Sequence, residues 1–187
     1  MFRQIITTAI FFCISFAASA ETISEFTSGM EKKEGFYNIY LDHDNGVVYL
    51  EVDRYDEDFI YKVSLPGALG SNDVALDRGQ LGGTKLVYFG RVGQKVFMHQ
   101  KNTRYIATSD NPRERMAATN AFAPSIVWGF KAVATGDNGA SLINMTEMML
   151  SDQHGSAAKI KRNNQGDFSL NESRSFVNFD KVKTFPM

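Results

Sequence analysis

Phe36-Tyr37-Asn38-Ile39-Tyr40-Leu41 and Val47-Val48-Tyr49-Leu50-Glu51-Val52, separated by Asp42-His43-Asp44-Asn45-Gly46, decide the class of fold. Both runs are rich in β-branched and aromatic residues, which suit a pleated, half-buried surface. Asn-Gly accepts positive φ at both central positions of a tight turn, so the stretch reads as a β-hairpin. Outward from it, Phe59–Leu65 reads as a third strand closed by Pro66-Gly67. Lys85–Phe89 and Lys95–His99 flank Gly90–Gln94 as a second hairpin, and Arg104–Ala107 is a candidate extension of the sheet. Asn111-Pro112-Arg113-Glu114 carries a capping residue, a proline suited to the first helical position and an acid three residues after the cap. It predicts a helix to about Asn120. Ser125–Val133 and Ser141–Met145 return to strand character around Gly136–Gly139, and Thr146–Leu150 reads as a short helical turn. The expectation is a mainly β (α+β) fold: a twisted antiparallel sheet built of hairpins, with one or two short helices.

The ends of the chain bear on its destination. Arg3 followed by the apolar run Ile5–Phe16 and the small residues Ala18-Ser19-Ala20 has the pattern of a secretory signal at 1–20, with the mature chain starting at Glu21. The apolar run is shorter than the roughly 20 residues a spanning helix needs. Cys13, preceded by two phenylalanines, lacks the small residues of a lipid-attachment site. It is the sole cysteine of the 187 residues, so the mature chain has no disulfide framework. Without Arg3, the 20 basic residues fall to 19 against 21 acidic ones. That balance, with no basic stripe interleaved with aromatics, excludes a nucleic-acid surface as the leading reading. Residues 21–34 form a polar lead-in with room for a short helix, 35–153 a β-rich domain, and 154–187 a polar arm. The expected location is the periplasm or cell surface of a bacterium, with no membrane contact in the mature form.

Between the third strand and the second hairpin lies a polar, glycine-rich block, Leu69-Gly70-Ser71-Asn72-Asp73-Val74-Ala75-Leu76-Asp77-Arg78-Gly79-Gln80-Leu81. It is too irregular for a strand and too rich in glycine for a helix. Asp77 and Arg78 beside glycine can pin a loop through charge-assisted hydrogen bonds, or present a planar guanidinium to a partner domain. Asn72, Asp77, Arg78 and Gln80 are therefore the candidate interface or loop-pinning residues.

No catalytic, cofactor or metal site is legible. His43, His99 and His154 lie more than fifty residues apart, whereas a zincin needs H-E-x-x-H on one helix. Asp42, Asp44 and Asn45 resemble the start of a calcium loop. Counted from Asp42, however, glycine falls fifth rather than sixth, and Asp53 stands where the loop needs glutamate. Gly70-Ser71-Asn72 is not a nucleophile elbow, and no G-K-[ST] follows Gly79, Gly82 or Gly83. Asp56, Glu57 and Asp58 at a strand entrance read as solvated acids, and Trp128 as a core residue.

Gly35-Phe36 with its hairpin, the Leu69–Leu81 block, Leu86-Val87 with Lys95-Val96, Phe122-Ala123-Pro124-Ser125 and Leu150-Ser151-Asp152 occur in this order. Together they resemble the non-catalytic N-terminal domain of unknown function in secreted bacterial zinc-dependent metalloproteases of the metzincin type. The resemblance runs from Gly35 to the C-terminus, and Leu-Asp-Arg-Gly-Gln with the upstream Leu-Gly-Ser-Asn is its most specific part. It implies a following catalytic domain with H-E-x-x-H-x-x-G-x-x-H. No residue here matches those ligands, while Arg174-Ser175 and Phe185-Pro186 look like the connection into that domain. The resemblance thus implies an exported, non-catalytic accessory domain, truncated before the catalytic domain, whose partner is that domain. The alternative is a free-standing periplasmic binding module that captures extended peptides or a partner protein along a sheet edge.

Overall fold

A computed structural model describes residues 21–67 and 74–186. The expected signal peptide and Asn72 lie outside the described residues. Eight strands form one antiparallel sheet: β1 (Glu31–Lys33), β2 (Asn38–Asp42), β3 (Val47–Val52), β4 (Phe59–Ser64), β5 (Leu81–Val92), β6 (Lys95–Gln100), β7 (Ser125–Thr135) and β8 (Ser141–Asn144). Their spatial order is β1-β2-β3-β8-β7-β6-β5-β4. Two meanders, β1–β3 and β4–β8, are thus joined where β3 pairs with β8, Leu50 opposite Ile143. Helices α1 (Ile23–Phe26), α2 (Pro112–Ala121), α3 (Thr146–Leu150) and α4 (Ser156–Arg162) decorate it. The mainly β, antiparallel, hairpin-built architecture expected from the sequence is what the chain adopts.

Alternation along the strands separates two faces. Val52, Val87, Phe89, Val96, Met98, Phe130 and Ile143 bury one face together with Met148 of α3. The sheet curls around that face. Tyr37, at the entrance to β2, touches the rings of Phe59 on β4 and Phe89 on β5 at 5.5 and 5.6 Å. On the other face Ile23 of α1 packs with Tyr40, Ala134, Ala140 and Leu142. A reciprocal capping box between Thr22 and Glu25 starts α1. The polar lead-in therefore contributes both a packed helix and edge strand β1.

Several local expectations change in detail. The first hairpin turn has positive φ at Gly46 (69°) but not at Asn45. The Asp42 carboxylate instead accepts from Asn45 N and Nδ2, at 3.0 and 2.8 Å, and closes a longer loop. The second hairpin is tighter than its sequence implies: β5 runs to Val92 opposite Lys95, with Gly93 at φ 59° making the turn. Arg104–Ala107 does not extend the sheet. Asn102 Oδ1 accepts from Arg104 N and Tyr105 N, at 3.0 and 3.1 Å, and its amide returns a bond to Tyr105 O. This Asx turn bends the backbone away before it can reach a strand partner.

The polar arm also has structure. Asp152 accepts from Ser156 N and Ala157 N, both at 2.8 Å, at the start of α4. The last described residues return to the beginning of the domain. Lys33 Nζ donates to Val182 O (3.1 Å), Thr184 Oγ1 to Glu34 O (2.7 Å), and Phe36 N to Phe185 O (2.8 Å).

Candidate functional site

The glycine-rich block ends in a turn in which Gln80 N donates to Asp77 O at 3.1 Å and Gly79 adopts φ 78°. Leu65, just past β4, clamps it: Gly79 N donates to Leu65 O at 2.7 Å and Leu65 N to Gln80 O at 3.0 Å. Val74 and Leu76 within the block are buried. Backbone bonds and apolar anchors hold this loop. Among the described residues, Asp77 and Arg78 make no ion pair or side-chain hydrogen bond, and Arg78 is exposed.

Gln80 meets a different fate. Among the described residues its buried Oε1 has no hydrogen-bond partner, and neither has Nδ1 of His154. Lys159 Nζ lies 3.0 Å from His154 Nε2 and 3.4 Å from Ala75 O. Lysine has only donors, so Nε2 accepts and the hydrogen of a neutral ring sits on Nδ1. That nitrogen faces Gly82, where an added Cβ would come within 3.4 Å of it. The structure thus joins the glycine-rich block to α4 through Ala75 and Lys159, 84 residues apart, which no spacing in the sequence indicates.

The remaining sequence candidates disperse. His43 bonds Glu31 at 2.7 Å, and His99 stacks on Tyr88 at 5.0 Å on the sheet's outer surface. Asp58 pairs with Lys101 at 2.5 Å, Glu57 with Arg54 at 3.6 Å. Asp56 occupies left-handed backbone at φ 59°, with its N–H on Phe89 O. Trp128 packs against the core cluster. Among the described residues no group of His, Cys, Asp and Glu has the geometry to hold a metal ion, and no helix is long and apolar enough to cross a membrane.

Three surfaces were not apparent from the sequence. A cleft of about 450 Å³ lies between α2 and the outer face, walled by Tyr88 and by the stacked rings of Tyr105 and Phe122, 4.4 Å apart. A cavity of about 820 Å³ opens on the sheet's inner face between β2, β3, α3 and residues 177–183. The third is the edge formed by β4. Leu86 O accepts from Lys101 N, so Lys85 and Val87 turn their backbone groups toward β4 and bond Tyr61 and Phe59. By antiparallel alternation the N–H and C=O groups of Ile60 and Lys62 point away from the sheet. Ile60 is 70% exposed.

Among the described residues, a curled, all-antiparallel sheet with an edge at β4 and a largely apolar cavity on its inner face defines a mainly β domain. The chain belongs to the family described as a domain of unknown function, DUF5117, which matches residues 79–187. That stretch supplies β5–β8, the centre of the sheet, while β1–β3 and β4 complete it on either side. No curated protein and no solved structure matches the chain.

Proposed function

We propose that this chain is an exported, non-catalytic accessory domain that docks onto a zinc-dependent metalloprotease catalytic domain, using β4 as its docking edge. The observation that carries the reading is the pair of outward-directed backbone groups at Ile60 and Lys62, on a strand whose side chains alternate between half-buried Phe59, Tyr61, Val63 and exposed Ile60, Lys62, Ser64. Such an edge pairs with an extended segment through main-chain hydrogen bonds. The signal-like leader and the Leu-Asp-Arg-Gly-Gln resemblance support the exported, protease-associated context, and exposed Arg78 lies near the end of the same strand. The edge equally favours a second reading, a free-standing module that captures extended peptides or a partner protein.

Calorimetric titration against a metzincin-type catalytic domain tests the proposal. Stoichiometric binding is expected, and Ile60→Pro should weaken it by about tenfold or more, because proline removes the outward donor without breaking a ladder bond. The melting temperature of Ile60→Pro should stay within a few degrees. Binding to extended peptides but not to the catalytic domain selects the second reading. Binding to neither overturns both.

A further inference from the structure

The inner-face cavity has a chemistry that β4 does not share. Its floor is the sheet, with Ile39 of β2 and Leu50 of β3 opposite each other in register. Met145 and Met149 line it from the side of α3, and Val182 from the C-terminal segment. Methionine side chains adapt to irregular apolar ligands. The C-terminal segment, which forms one wall, is fastened to the β1–β2 region at several points: Phe179 lies edge-on to His43 at 5.1 Å, Lys33 Nζ binds Val182 O, and Thr184 Oγ1 binds Glu34 O. The opening is therefore built into the folded chain, as ligand pockets usually are. Lys181 and Lys183 flank Val182 in the lining, both exposed and, among the described residues, neither in an ion pair. No carboxylate is among the described residues of that lining.

We infer that this cavity binds a single-chain amphiphile with an anionic head group, the chain lying among Ile39, Leu50, Met145, Met149 and Val182 and the head between Lys181 and Lys183. A volume of about 820 Å³ falls in the range of small-molecule pockets and accommodates one acyl chain. Lys181 and Lys183 are the charged residues of this lining among those described, and being exposed they leave their ammonium groups available to an anionic head.

The test is displacement of a dansyl-labelled undecanoate by palmitate, kept below micelle-forming concentrations. Palmitate should compete stoichiometrically, and affinity should rise by about fourfold for each methylene added to shorter acids until the cavity is full. Cetyltrimethylammonium, with the same chain and the opposite head charge, should bind at least about tenfold more weakly. Lys181→Glu with Lys183→Glu should lower palmitate affinity by a similar factor while leaving hexadecanol unchanged, and Met149→Trp should weaken all three. In the unsubstituted protein the Met145 and Met149 methyl resonances should shift on palmitate addition, a readout that does not depend on any variant folding. Equal affinity for both head charges would overturn the anionic assignment. No saturable palmitate binding, or unmoved methyl resonances, would overturn the site itself. Occupancy by extended peptides in place of palmitate would assign the cavity to a polypeptide partner and sink the amphiphile reading.

Discussion

A side chain at Gly35 would occupy the space already filled by the Phe185 carbonyl oxygen and the Thr184 Cβ. Glycine is required there by close approach of two chain segments rather than by backbone angle. Gly35→Val should lower stability by about 1–3 kcal/mol, the usual cost of forcing extra methyl groups into a packed contact. It should also loosen residues 177–185, read as faster amide exchange at Phe36. An unchanged melting temperature with unchanged exchange would contradict the crossing. At this scale the sequence is legible only where the reason for a residue is local. Gly46 and Gly93 announce turns because φ is a property of one residue, whereas Gly35 looks like any strand-entry glycine until Phe185 is placed against it. The burial of Gln80 Oε1 and His154 Nδ1, without a partner among the described residues, is invisible in the sequence for the same reason.

Helix α2 stands at the opposite limit, an element written almost wholly in local chemistry. Asn111 Oδ1 accepts from Arg113 N at 3.0 Å, Pro112 begins the helix, and the Asn111 amide reaches Glu114 at 3.3 Å. Capping and proline signals act over four residues, so the helix start is readable from sequence alone. None of its side chains is buried. Asn111→Ala should therefore cost the helix about 1 kcal/mol while the global melting temperature barely moves. Amide exchange across 112–121 should accelerate as the helix frays. Cooperative loss of the whole fold would mean that α2 carries more packing than its exposure indicates. Arg104–Ala107 shows where element reading fails: apolar and aromatic composition suits a strand, but the Asn102 side chain offers the backbone a competing set of bonds.

Over the whole molecule, the curl of the sheet is recorded in the titration of Tyr37. Burial against Phe59 and Phe89, reinforced by the carboxylates of Glu57 and Asp53, pushes its hydroxyl up to about 12. Burial, followed by the hydrogen bond to Glu51, takes Tyr40 to about 12 as well. A folded-state pKa above the unfolded value near 10 means that the folded chain keeps protons the unfolded chain gives up. This contribution is complete below pH 10 and is lost as the pH rises toward about 12. Urea midpoints should thus be level up to pH 9 and fall between about pH 10 and 12, and Tyr37→Phe should flatten part of that fall. An alkaline limb unchanged in the variant would show that Tyr37 is not enclosed by β4 and β5. The sequence by itself determined β2–β8, most of their turns and the cap of α2, because β-propensity, turn geometry and capping act within a few neighbouring residues. Tertiary structure alone decided that β3 pairs with β8, that β4 is left as an edge among the described residues, and that the C-terminal segment lines a cavity together with β2, β3 and α3. Those contacts join residues up to 150 positions apart, as Thr184 and Glu34 are, and their pairing depends on which apolar faces bury each other once the sheet curls.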